Sequence, residues 1–94
     1  MALIEAGPLG GTCVNVGCVP KKIMWNAAHF ADALAISEDY GFNLPEAEFN
    51  WASFKTTRDA YVERLNSIYL RNLDGSGVEL FHGWASFESS HQVR

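Results

Sequence analysis

The chain has 94 residues, a formal net charge of −4, 48% apolar residues and 13% aromatics. That composition is globular rather than disordered, and the length allows one small domain or part of one, with a limited core. The negative balance and the lack of a basic stripe exclude a general nucleic-acid binder, and no apolar run reaches the length of a membrane span, so neither nucleic acid nor membrane is an expected partner.

In chain order, Ala2-Leu3-Ile4 is a short apolar run ending in Glu5, the pattern of a buried parallel strand. An acid after three apolar residues is by default a solvated strand end. The next stretch is Gly10-Gly11-Thr12-Cys13-Val14-Asn15-Val16-Gly17-Cys18-Val19-Pro20-Lys21-Lys22, which holds both cysteines of the chain. On a regular helix, residues five apart have Cα atoms about 8.6 Å apart. A disulfide wants roughly 4.4–6.8 Å. A bridge here therefore needs a bent backbone, and the glycines supply that freedom. Pro20 fits the first turn of a helix, where its missing N–H costs nothing. Cys18 then falls at or just before a helix N-terminus, where a thiolate forms more easily, with Lys21 and Lys22 one turn on. Two other readings stand beside the reactive thiol. Free cysteines are commonly buried and inert, and a zinc site needs four ligands, for which His29, His82 and His91 have no suitable spacing.

From Pro20 to about Ile36 the spacing predicts a helix, with Ile23, Ala27, Phe30, Ala31 and Leu34 on one side and many alanines. Trp25 and His29 lie four apart, within reach of each other on that helix, and His29 is read as structural. Ser37–Asn50 reads as a loop, with Asn50 as an N-cap. A longer helix follows over about Trp51–Asp74, with Phe54, Arg58, Tyr61, Leu65, Ile68 and Asn72 or Leu73 along one side. It stops at Asp74-Gly75-Ser76-Gly77. Tyr61 and Tyr69 are separated by about 12 Å along its axis and about 80° around it, so both hydroxyls can line one broad face. Tyrosines on an amphipathic helix otherwise pack with their tips wet. Val78–Gly83 and Trp84–Glu88 alternate like short strands, and His91–Arg94 begins another.

The string GGTCVNVGCVPKK closely resembles the redox-active disulfide motif of the flavin-dependent pyridine nucleotide-disulfide oxidoreductases. The lysine pair after Pro20 is like the branch that reduces glutathione, trypanothione and thioredoxin, whereas lipoamide and mercuric enzymes usually have Ser-Lys there. The resemblance implies an α/β fold, a partial Rossmann-like FAD-binding domain made of one parallel strand, the redox-disulfide helix, a second long helix and short strands. It implies a Cys13–Cys18 disulfide as the catalytic pair, with Cys13 as the interchange thiol and Cys18 against the flavin. Glu5 would accept the adenosine ribose hydroxyls, Thr12 would bond the cofactor, Lys21 would hold its ammonium by the flavin, and backbone around Ala85 would lie near the adenine. FAD is the implied cofactor and NADPH the electron donor of the complete enzyme.

The segment Arg58–Tyr69 resembles the helix of the glutathione-reducing branch in which Tyr69 contacts glutathione, with Tyr61 a further substrate contact. Trypanothione enzymes carry serine where Ile68 stands and methionine where Asn72 stands. Glutathione disulfide is therefore the expected substrate, in glutathione metabolism and redox homeostasis. A trypanothione or thioredoxin reductase type is the alternative within the family, and a self-contained thiol or metal-binding module the alternative outside it.

Family members place a glycine-rich fingerprint upstream of the motif, whereas here Met1-Ala2-Leu3-Ile4-Glu5 runs almost directly into it. The expectation is an internal piece, residues 1–94 being part of an FAD-binding domain without the first strand, the fingerprint, or the NADPH and interface domains. Such a piece is expected to be inactive alone, and the complete enzyme to be a homodimer. The first residues show no basic region followed by an apolar core, and closely spaced cysteines suit catalysis in a reducing compartment, so a cytoplasmic location is expected.

Overall fold

Four apolar-rich residues at each end of the helical region pair with one another in the computed structural model, which describes residues 1–94. β1 (Ala2–Glu5) runs parallel to β2 (Glu79–His82), with Leu3 opposite Leu80 and Ile4 opposite Phe81. The Glu79 amide donates to the Met1 carbonyl and the Gly83 amide to the Glu5 carbonyl, each at 3.0 Å, extending the ladder at both ends. Parallel strands need a long crossover. Here it is α1 (Gly11–Val16), α2 (Cys18–Ala35), a 3-10 turn (Ser37–Tyr40) and α3 (Trp51–Gly75).

The helix boundaries have local causes. Asn50 caps α3, its Oδ1 accepting the Ser53 amide at 2.9 Å. Phe49 just before the cap and Phe54 four positions inside the helix bring their rings to 5.7 Å, a hydrophobic staple. Trp51 joins them at 6.3 and 5.8 Å. At the other end Gly77 adopts φ 69°, and the Val78 amide turns back to the Leu73 carbonyl at 3.0 Å. The predicted helices thus end within about a residue or two of the expected places, the ordinary scatter of helix ends. Of the expected stripe on α3, Phe54, Arg58, Leu65, Ile68 and Leu73 are half-buried, while Tyr61 and Asn72 are exposed.

The C-terminal strands form a small hairpin of β3 (Phe87–Ser89) and β4 (Gln92–Val93), closed by reciprocal Ser86–Arg94 backbone bonds and a 2.7 Å Glu88–Arg94 ion pair. The strand expected from Trp84 starts only at Phe87, and Trp84 is 91% exposed.

The expectation of a buried β1 is corrected. It is parallel, but Leu3 and Ile4 are 38% and 42% exposed. A parallel strand is buried when neighbouring strands and helices cover it, and this sheet has two strands. The same shortage of cover runs through the molecule. Val14 and Pro20 are the two buried residues, and the radius of gyration is 20.5 Å. A compact domain of this length would have about 12 Å. The chain is therefore a set of well-formed elements whose apolar faces are open. No helix is long and apolar enough to cross a membrane.

On α3, Asp59 accepts from Lys55 Nζ at 2.6 Å and from Arg58 Nη2 at 2.7 Å, and these hydrogen bonds hold its carboxyl below the ordinary value of 3.8. A depressed carboxyl contributes stability that is present above the unfolded-state value and is lost as pH falls through the folded one. Helicity followed by circular dichroism should therefore be level above that value and fall below it. In Asp59→Asn this acid-side loss should be reduced, and an unchanged acid limb would contradict the assignment.

Candidate active site

The cysteine stretch folds as two helices meeting at a break. Gly10 enters α1 at φ 102°, and a Cβ there would lie 2.7 Å from Cβ of Val14, so glycine allows the one buried aliphatic side chain to pack on the turn. α1 carries Thr12, Cys13, Val14 and Asn15, and it ends at Gly17. Cys18 is then the first residue of α2, and the Gly17 carbonyl accepts the Lys21 amide at 3.1 Å. Pro20 lies in the first turn, where it leaves no helical bond unmade.

The break brings the cysteines together. Their Cα atoms are 4.6 Å apart and the sulfurs are bridged, whereas an unbroken helix would hold them about 8.6 Å apart. Gly17 makes this possible by close approach. A Cβ at Gly17 would stand 2.8 Å from the Thr12 carbonyl oxygen and 3.0 Å from Cα of Cys13. Any side chain would push the two helix ends apart. Both cysteines are exposed.

Cys18 at the first position of an 18-residue helix faces unpaired amides and the positive end of the dipole. Lys22 Nζ stands 4.0 Å over the Trp25 ring, which in turn stacks on His29 at 5.0 Å and 12°. Lys22 and His29 are thereby engaged along the side of α2, His29 with Trp25 as its spacing suggested. Lys21 is exposed and makes no ion pair.

The remaining expected site residues are distributed as follows. Glu5, at the end of β1, accepts the Gly7 amide on Oε1 at 2.9 Å and keeps its second oxygen uncommitted. Thr12 is exposed on α1, next to Cys13. Ala85 lies in the exposed link between β2 and β3. Tyr61 and Tyr69 are 46% and 43% exposed on α3. Thr12, Cys13, Cys18 and Lys21 are gathered by the α1–α2 junction, while Glu5, Ala85 and the tyrosines stand on other elements. No group of three or more His, Cys, Asp or Glu side chains converges anywhere in the chain.

Two residues that sequence reasoning passed over tie this junction to α3. Asn66 Nδ2 donates to the Leu9 carbonyl at 2.7 Å and to Asn15 Oδ1 at 2.9 Å. Asn15 Nδ2 donates to the Gly11 carbonyl at 2.9 Å and the Leu9 carbonyl at 3.1 Å. Arg58 Nη1 reaches Met24 Sδ at 3.6 Å from the same helix. A lone asparagine on a helix carries no periodic signal, so only its tertiary partner reveals it.

An exposed disulfide closed over a short loop at a helix start is the arrangement of a thiol–disulfide oxidoreductase site. Comparison with known proteins agrees with that class. The chain is 54% identical over 90 residues to a glutathione reductase of Yarrowia lipolytica, covering 89% of this chain and 19% of the relative. It is 52% identical over 95 residues to one from Schizosaccharomyces pombe, covering 99% and 20%, and 48% identical over 96 residues to one from Debaryomyces hansenii, covering 95% and 20%. No family model matches the chain. Over nearly all of its length the chain is thus a homologue of the glutathione reductases, and it spans 19–20% of the length of these relatives.

Gly17→Ala should weaken closure of the Cys13–Cys18 bridge by about 1–3 kcal/mol, the usual cost of forcing an extra methyl into a tight site. Titration against dithiothreitol reads this directly, and an unaltered equilibrium would show that the close approach is not needed.

Proposed function

We propose that residues 1–94 are part of a Rossmann-like FAD-binding domain and carry the redox centre of an NADPH-using enzyme that reduces glutathione disulfide. The observation that carries this reading is the exposed Cys13–Cys18 bridge at the first residue of α2, in a segment about half identical to glutathione reductases.

The donor set suits FAD. The free Glu5 oxygen can accept ribose hydroxyls, the Thr12 hydroxyl and the Lys21 ammonium are uncommitted, and the backbone around Ala85 is open to contact. When bound, FAD supplies an electron pair drawn from NADPH. In this chain two electrons and two protons convert the bridge to two thiols. Cys13, as thiolate, attacks one sulfur of glutathione disulfide, so that a Cys13–glutathione bond forms, the substrate bond breaks and one glutathione leaves as thiolate. Cys18, favoured as thiolate by the helix N-terminus, then attacks Cys13 Sγ, restoring the bridge and releasing the second glutathione. Tyr69 and Tyr61 offer exposed phenols for the substrate.

Ile68 and Asn72 favour glutathione over a larger cationic disulfide, because both stand where trypanothione enzymes have other residues. The working enzyme is a homodimer in a cytoplasmic setting on this reading.

Reduced Cys18→Ser mixed with glutathione disulfide should retain one glutathione on Cys13, seen as a mass increase that dithiothreitol reverses. Reduced Cys13→Ser should be modified more slowly. The opposite order, or no adduct in either, would sink the proposal. The 94-residue chain alone is expected to show no NADPH-dependent reduction of glutathione disulfide in a spectrophotometric assay, and measurable turnover would contradict the part-domain reading.

A further inference from the structure

α1 has six residues and begins at Gly10 without a side-chain cap. A helix that short has no independent stability in water. Its position is set by three links: the disulfide, the packing of Val14 on Gly10, and the amide network of Asn15. Reduction removes the first. Gly10 and Val14 both belong to the α1 turn, so what then keeps Cys13 beside Cys18, besides the chain itself at Gly17, is the third, which is anchored outside the loop, on α3.

We propose that Asn66 is a positioning residue for the Cys13–Cys18 couple, holding α1 through Leu9 and Asn15 so that the two thiols stay in closing distance once the bridge is open. Asn66 spends both of its amide N–H groups on this loop, at 2.7 and 2.9 Å. Asn15 answers with bonds to Leu9 and Gly11, so one carbonyl, that of Leu9, receives both asparagines. Asn66, Asn15 and Leu9 are all half-buried, where water replaces a lost partner poorly. Asn66 sits between Tyr61 and Tyr69, so the same helix that offers the exposed phenols also braces the attacking cysteine. The inference rests on the reading of Cys13 and Cys18 as a working thiol–disulfide couple.

In the couple, a dithiothreitol molecule loses two electrons and two protons to become its cyclic disulfide, while Cys13 and Cys18 gain them. A looser α1 lowers the local concentration of one thiol at the other, and the equilibrium moves toward the open dithiol.

The test is this equilibrium measured for the wild-type chain, Asn66→Ala, Asn15→Ala and the double variant, with Ser67→Ala as a control, since Ser67 Oγ bonds only within α3 to the Glu63 carbonyl. Each asparagine variant should favour the dithiol by about tenfold, a shift of about 30 mV, and Ser67→Ala should match wild type. The double variant should shift no further than the larger single, because both substitutions cut the same network. An Asn66→Ala value within about twofold of wild type, or a fully additive double variant, overturns the proposal. Circular dichroism reports whether α3 survives Asn66→Ala. If it does not, Asn15→Ala, which substitutes no residue of α3, decides in its place. Because dithiothreitol is the only reductant, a missing glutathione adduct at Cys13 would refute the substrate reading without changing this result.

Discussion

At Gly17 the backbone of the cysteine loop passes so near itself that an added Cβ would stand 2.8 Å from the Thr12 carbonyl oxygen. Two helices end and begin there, and the 4.6 Å between the Cys13 and Cys18 Cα atoms follows from it. So does the placing of Cys18 at the head of α2, where the free amides lie. A thiol pair needs both conditions, closeness for bond exchange and a local field that favours the thiolate. A single missing side chain provides the first, and the continuation of the chain as an 18-residue helix provides the second.

The rest of the molecule braces this junction. α3 is itself well anchored, with the Asn50 cap and the Phe49–Phe54 staple at one end and the Gly77 turn at the other. From that frame Asn66 reaches the loop before α1 and Arg58 reaches Met24 on α2. β1 and β2, paired across the whole helical region, close the frame at the base.

The molecule has almost no core. Phe30, Trp51, Phe81 and Phe87 are all about half or more exposed, so these large apolar side chains find no cover within the 94 residues. The 94 residues span 19–20% of the length of the curated relatives.

Helix limits were legible because they rest on near-neighbour chemistry: Asn50 before Trp51, the glycines after Asp74, and Pro20 in the first turn of α2 are signals within a few residues of the ends they set. The Gly10–Lys22 string was specific enough to point to a bridged pair and to a family. β1 was readable as a strand and as parallel, but its exposure was not, since burial depends on what else packs on the sheet. The short helix α1 escaped notice, as six residues show too little periodicity to distinguish them from a loop. The sequence by itself determined where the long helices run and that Cys18 heads one of them, because both depend on local order. Only the tertiary structure decided that Asn66 would meet Asn15 across 51 positions of chain, since such a contact has no local trace and arises when α3 folds back over the loop.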